Sequence, residues 1–386
     1  MTTGGIERIA SDMDRLGAIS IRPAGTEGER ALLHVVREAL PEGVDARIEG
    51  FVGNTSPPLS IAFHAALIVV GGAVGLLWPL AGLVVCLVAT ISLVGEGTGG
   101  FALLRGLLVR AASYNLSVPV IQPQNPRGSL VIAAPLDSPR GLAMRPPWLG
   151  RWPLQLFTLA GTVVTIVCLL RSVSDPLGHA TLKLYLASLA VTLIGGVVAL
   201  ASHRAVPAED ATAPAALLEV IRRLLDEPVP GLEVWAVFTG CGRAYQSGID
   251  AFLRVHAQEP PGPLLVVSLL DPGRAPLRAA ISEGILTRQV HKATGPALVE
   301  RLRWAGVDLP EIDRPGASDA RAAHNAGHAA LLLVGGSRSG AVEGTADAAE
   351  AVCTIAHWYA RDVGALAERQ GRLAPVVLAD ANPEAG

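Results

Sequence analysis

The chain has 386 residues, room for two or three average domains or one large domain with insertions. Half of the residues are hydrophobic and 17% are charged, against about a quarter in an ordinary soluble globule, and the mean hydropathy is +0.42. A net charge of −3 offers no basic footprint for nucleic acid, and Cys86, Cys168, Cys241 and Cys353 form no CxxC pair that would suggest a disulfide framework or zinc knuckle.

Residues 1–50 carry charges throughout, so no cleavable signal peptide is expected there. Residues 6–40 alternate apolar and charged positions at helical spacing, broken at Arg22-Pro23-Ala24-Gly25, and predict two amphipathic helices. Residues 44–52 alternate as a strand does. Residues 59–94 then run without one formally charged side chain. A membrane pass needs roughly 20 apolar residues, so this stretch predicts two tight passes turning near Trp78-Pro79. A second pair is predicted at 153–170 and 184–202, joined by the polar loop Arg171–Lys183. The competing reading, buried core helices, leaves four uncharged segments to be covered by too few polar residues.

Arg171 and Lys183 lie between the last two passes, whereas Arg47, Arg105, Arg110, Arg127, Arg140, Arg145, Arg151 and Arg204 flank the other ends. The positive-inside rule then predicts a multi-pass cell-membrane protein with both termini and the soluble part in the cytoplasm. Outside the apolar pairs, strands are expected at 113–121, 128–134, 232–239, 264–270 and 329–334. Helices are expected at 211–226, 246–257, 295–306 and 345–361. That alternation predicts an α/β fold: a three-layer αβα sandwich around a mostly parallel, mixed sheet. The domain is expected to be discontinuous, over 1–56, 97–150 and 203–372, with apolar hairpins at 57–96 and 151–202 and a loose tail at 373–386.

The stretch Gly128–Ser138, GSLVIAAPLDS, reads as an interior strand running into Pro135-Leu136-Asp137. In parallel sheets, sites form just past the carboxyl ends of strands, which is where Asp137 stands. The segments RPAGTEGERA, SYNLSV, LVIAAPLDS, EDATAPAALLEVIRRL, VWAVFTGCGRAYQSG, VVSLLDPG, GASDARAAHNAGHAALLL and VEGTADAAEAV follow one another across residues 6–54 and 112–361. In this order and spacing the chain resembles the di-zinc aminopeptidases of metallopeptidase family twenty-eight, with the two hairpins left out.

The resemblance implies an aminopeptidase-like fold and a two-zinc site, for which histidine and carboxylate ligands and a glutamate base are required. Carried over by position, the first metal histidine falls on Pro135, and Asp137 is the carboxylate that would orient it. The bridging aspartate falls on Glu209, beside Asp210. The general-base glutamate falls on Gly242 and its metal-binding neighbour on Arg243. A ligand aspartate is kept as Asp271, and the last histidine aligns with Glu343, four residues before Asp347. Proline and glycine offer no side-chain donor for zinc, and arginine is permanently cationic. Arg243 is therefore expected to sit among Glu209, Asp271 and Glu343 and to replace the metal charge.

Other motifs carry less. His324 and His328 are four apart in HNAGH but lack the glutamate of HExxH, and Gly327 looks like a helix stop. His64, in an apolar segment, is expected to be a satisfied packing residue. Gly95-x-Gly97-x-x-Gly100 follows a membrane segment and is expected to be a flexible exit. Cys241 has no neighbouring base in sequence. No GxSxG elbow or phosphate-binding GxxxxGK[ST] loop occurs.

The second hairpin departs between Asp137 and Glu209, so the pocket mouth is expected near the bilayer surface. The leading expectation is a membrane-anchored peptidase-like protein that is catalytically inactive and holds no cofactor. It would serve as a binding or assembly module with the lipid bilayer and a membrane-protein or peptide partner. The alternative is an active membrane-bound zinc-dependent hydrolase with rearranged ligands. A third reading places the function in the spanning helices.

Overall fold

The computed structural model describes residues 3–373 apart from 109, 141–150, 175–178, 205–210, 258–259, 261, 291–294, 305 and 337–340. It opens with α1 (Thr3–Gly17), α2 (Glu27–Ala39) and strand β1 (Arg47–Asn54). The first apolar pair, α3 (Pro57–Leu77) and α4 (Pro79–Thr98), turns at Trp78. Strands β2 (Arg110–Ile121) and β3 (Gly128–Pro135) precede the second pair, α5 (Trp152–Val173) and α6 (His179–Ala201). Then come α7 (Thr212–Asp226), β4 (Leu232–Thr239), α8 (Ser247–His256), β5 (Leu264–Leu270), β6 (Arg278–Gly284) and β7 (Gln289–Val290). The chain continues through α9 (Gly295–Trp304), β8 (Glu311–Pro315), α10 (Asp319–Asn325), β9 (Ala329–Val334) and α11 (Ala341–Leu373).

The strands form one mixed sheet in the order β1-β2-β4-β3-β5-β9-β6-β7, with β8 paired to β6. Its centre, β4-β3-β5-β9, is parallel, and β1, β2, β6 and β7 pair antiparallel around it. Every residue of β3 and of β5 is buried, as strands covered on both faces must be. Leu130, Ile132 and Ala134 of β3 pack with Leu217 of α7 and Val352 of α11. Val131 and Ala133 face the opposite layer, with Ile249 and Phe252 of α8 and Ala320 and Ala323 of α10. This is the three-layer αβα sandwich expected from the alternation of elements.

Three short strands, β6, β7 and β8, and the helix α10 were not among the expected elements. β7 and β8 are too short to show a period, and β6 takes partners from β8 and β9 farther along the chain as well as from its neighbour β7. Helix α11 runs to Leu373, beyond the 345–361 expected and into the first residue of the expected tail. Residues 374–386 lie outside the described residues.

Four helices are long and apolar enough to cross a membrane. They pack through small residues: a Cβ on Gly82 of α4 would lie 2.4 Å from the Cα of Gly75 on α3, a separation only glycine permits at such a crossing. Thr90 and Thr165 hydrogen-bond across α4 and α5 at 3.0 Å, and the Tyr185 hydroxyl donates to the Gly72 carbonyl at 2.6 Å. Val84, Ile91, Leu159, Ile194 and Val197 point outward and are exposed. His64 is a satisfied packing residue, as expected. Its Nδ1 lies 2.7 Å from the Ser60 carbonyl, which can only accept, so Nδ1 carries the hydrogen and Nε2 faces Ser92 Oγ at 2.9 Å.

The helices are bound to the sandwich by directed contacts. Arg151, just before α5, makes two 2.7 Å bonds to Asp313 and donates to the carbonyls of Gly284 and Arg314. Glu96 near the end of α4 accepts from Ser60 at 2.9 Å and from Tyr245 of the sandwich at 2.7 Å. The glycine stretch 95–100 is not a flexible exit. Gly99 is the left-handed cap of α4 (φ 75°), and the Leu286 amide donates to the Gly97 carbonyl at 3.1 Å. A Cβ on Gly97 would fall 2.9 Å from the Leu286 side chain, so close approach is what this glycine serves.

Candidate functional site

Asp137, Arg243 and Asp271 lie just past the carboxyl ends of β3, β4 and β5, where the parallel centre of the sheet opens. The Arg243 guanidinium forms a two-pronged ion pair with Asp271, Nη1 to Oδ2 at 3.2 Å and Nη2 to Oδ1. Burial would raise the Asp271 carboxyl, but the Arg243 charge and its hydrogen bonds hold it below its ordinary value. The Arg243 amide meanwhile donates to both oxygens of Asp137, at 2.9 and 3.2 Å. One residue thus touches two of the acidic positions singled out in the sequence.

Pro135 ends β3 opposite Thr239 of β4. A Cβ on Gly242 would lie 2.9 Å from Pro135 Cβ and 2.5 Å from Thr239 Oγ1. A side chain at 242 would collide with both the Thr239 hydroxyl and the Cβ of residue 135. Glu343 is exposed in the first turn of α11 and has no ion-pair partner among the described residues. It does not join the Arg243–Asp271 pair. Glu209 and Asp210 lie outside the described residues.

Two buried carboxylates at the site were not anticipated. Glu29 accepts from the amides of Gly25 (2.9 Å) and Cys241 (2.7 Å) and from the Ser113 hydroxyl (2.8 Å). Its burial, and then the nearby Asp137, raise its pKa. Burial likewise raises Asp137, against the opposing pull of the Arg243 amide. Together they fasten the 240–246 turn, in which Cys241 (φ 50°), Tyr245 (φ 66°) and Gln246 (φ 54°) are all left-handed. Such backbone is costly for non-glycine residues and needs this kind of support. The sequence does hold a trace of Glu29: it occupies one stripe with Leu32, Leu33 and Val36, a charged residue on the buried face of α2.

Asp319 at the start of α10 is the second. It is 2% exposed, accepts from Thr239 Oγ1 at 2.8 Å through Oδ2, and its Oδ1 has no partner among the described residues. Burial pushes its carboxyl up to about 8. It borders a cavity of about 40 Å³ walled by Pro135, Gly242, Arg243 and Ser268. Beyond Arg243 a larger cleft of about 290 Å³ opens, lined by Asp137, Arg140, Tyr245 and Gln246 and by Pro57, Pro58 and Ile61 of α3.

The donor set does not fit a two-zinc centre. Pro135 and Gly242 supply no ligand atom, Asp271 is engaged by a fixed cation, and Asp137 by amides. No cluster of three or more histidine, cysteine, aspartate or glutamate side chains suited to a metal occurs among the described residues. His324 is the penultimate residue of a short helix and His328 lies beyond its cap, past Gly327 at φ 89°, so the two do not share a helix face. Cys241 is fully buried, and burial followed by the charges of Glu29 and Asp137 pushes its thiol up, away from the nucleophilic thiolate.

The architecture is that of an αβα sandwich with a strand-end cleft and four attached apolar helices. No family model matches the sequence, and no curated protein matches it. Among solved structures, the chain is similar to a zinc aminopeptidase from Bacillus subtilis at 11% identity and a TM-score of 0.49, covering 92% of this chain and 95% of that one. It is similar to an aminopeptidase from an Aneurinibacillus strain at 11% identity and a TM-score of 0.48, covering 93% of each chain. A glutaminyl cyclase from Fimbriiglobus ruber aligns at 13% identity and a TM-score of 0.42, covering 95% of this chain and 94% of that one.

Proposed function

We propose that this chain is a membrane-anchored, peptidase-like protein that does not hydrolyse peptides and acts as a binding or assembly module at the membrane. The observation that carries this reading is the ion pair of Arg243 with Asp271, beside a Pro135–Gly242 contact that leaves no room for a ligand side chain. A guanidinium is a fixed charge with no Lewis acidity and no bound water to ionise. It stabilises the remaining carboxylate but gives a hydrolase nothing to attack with.

The arrangement of the cleft supports binding. Its walls are preformed, it is entered between the sandwich and α3, and its backbone is tied by Glu29 and Asp137. The four apolar helices support a place in the cell membrane, and the distribution of arginines supports a cytoplasmic sandwich.

Zinc content and aminopeptidase activity of the purified full-length protein test the reading. Substoichiometric zinc and no release of aminoacyl groups are expected. The combined substitutions Pro135→His and Arg243→Glu are expected to raise zinc uptake, whereas Gly242→Glu, colliding with Thr239 Oγ1 and the Cβ of residue 135, is expected to lower stability by roughly 1–3 kcal/mol. Stoichiometric zinc with hydrolysis in the unaltered protein would refute the proposal.

A further inference from the structure

Arg140 stands apart from Arg243, which also lines the cleft, and from Arg151 at the start of α5. Of its five N–H donors, Nε gives one to the Thr55 carbonyl at 3.2 Å and Nη1 gives one to the His203 carbonyl at 3.1 Å. No carboxylate pairs with it among the described residues, in contrast to Arg243 on Asp271 and Arg151 on Asp313. It is half-buried and lines the 290 Å³ cleft.

Its position in depth is set by its two partners. Thr55 immediately precedes the Ser56 cap of α3, and His203 follows the end of α6. The guanidinium therefore bridges the ends of two membrane-length helices, at the level where an apolar span gives way to the headgroup layer. Pro57, Pro58 and Ile61 of α3 form the apolar wall beside it, and Ile285 adds to that wall. The N-terminal end of α3 contributes a further positive field. His203 is held below its ordinary value by burial and then by Arg140, which leaves Arg140 as the cation at this point of the cleft. Asp137, the carboxylate in the cleft lining, accepts the Arg243 amide on both oxygens, and its charge also acts on Arg140 without a hydrogen bond between them.

We propose that this cleft takes the headgroup of an anionic phospholipid, with Arg140 as the group that recognises its phosphate and the Pro57–Pro58–Ile61 wall receiving the glycerol end of the lipid. Guanidinium matches phosphate in charge and fork geometry, and the apolar wall distinguishes a lipid-borne phosphate from a free one. The proposal deepens the binding-module reading and rests on it, since it treats the cleft as a place of binding.

The test uses full-length protein in a nonionic detergent, titrated with short-chain phosphatidylglycerol, short-chain phosphatidylcholine and inorganic phosphate, with bound lipid read by native mass spectrometry. Phosphatidylglycerol is expected to bind about tenfold tighter than phosphatidylcholine, which carries the same phosphodiester but also a trimethylammonium that the Arg140 charge repels. Arg140→Gln is expected to abolish that preference and Arg140→Lys to keep part of it. Arg15→Gln, at an exposed pair with Glu38, is expected to change nothing. Equal binding of the two lipids, inorganic phosphate binding as tightly as phosphatidylglycerol, or a preference that survives Arg140→Gln overturns the proposal. The lipid comparison on the unaltered protein decides the matter even if a variant fails to fold. Zinc and activity measured on the same preparation judge the non-hydrolytic reading separately.

Discussion

Asp319 lies beneath the cleft with one oxygen bonded to Thr239 and burial raising its carboxyl to about 8. Asp137, Asp250 and Glu283 add like charge around it. The native state therefore holds a proton that the unfolded chain, with an ordinary value of 3.8, releases. The stability this confers is complete in acid and is lost as pH rises through the folded value. Glu29 and Asp137, also raised, act in the same direction. The contribution of these groups to the unfolding midpoint is expected to fall as pH is raised from about 4 to 8, and Asp319→Asn to flatten that slope by roughly 1 kcal/mol per pH unit at most. Thermal scans across that range check this, and an unchanged slope would show that Asp319 is ionised in the folded protein.

The contact between helices and sandwich turns on a few long side chains. Arg151 is the most connected of them, reaching Asp313, Gly284 and Arg314 together from the start of α5. Its hydrogen bonds come first among the causes holding the Asp313 carboxyl below its ordinary value. Asp313 is partly open to solvent, at 35% side-chain exposure, so the pair is screened and its worth lies below that of a buried one. Arg151→Ala is expected to cost about 1–3 kcal/mol. It should also increase hydrogen exchange at β8 and at the 284–287 turn, leaving β3 and β5 protected. Exchange unchanged at that seam would mean that Leu286 and Glu96 hold the junction without it.

Taken as a molecule, the chain sets a charged αβα sandwich on one end of a bundle whose outward side chains are apolar. Val70, Leu77, Val84, Ile91, Leu159, Ile166, Ile194 and Val197 are all exposed. Such a surface is far larger than a monomeric soluble protein tolerates in water. The protein is expected to stay with the membrane fraction through an alkaline carbonate wash. Protease added to the outer face of intact cells should leave the sandwich intact, and cleavage within it would reverse the orientation that the arginines predict. Release by carbonate would remove the membrane reading altogether.

Periodicity and charge sufficed for the apolar pairs, for the central strands and for the helices between them, because burial on two faces, or immersion in lipid, leaves an unbroken apolar run in the chain. The position-by-position comparison likewise singled out Pro135, Asp137, Gly242, Arg243 and Asp271 as neighbours. Pairing was another matter. Strands β6 and β8 draw partners from distant segments, and nothing local marks pieces as short as β7 and β8. Glu29 and Asp319 became site residues only once 212 and 80 positions of chain had been closed to bring them to Cys241 and Thr239. The same holds for Arg140, an unremarkable arginine in sequence. Its significance comes from long-range closure, which sets the guanidinium between the ends of two apolar helices and in the lining of the cleft. Local sequence determines which faces seek burial, while the electrostatics of a site depend on which charges the fold brings within a few ångströms.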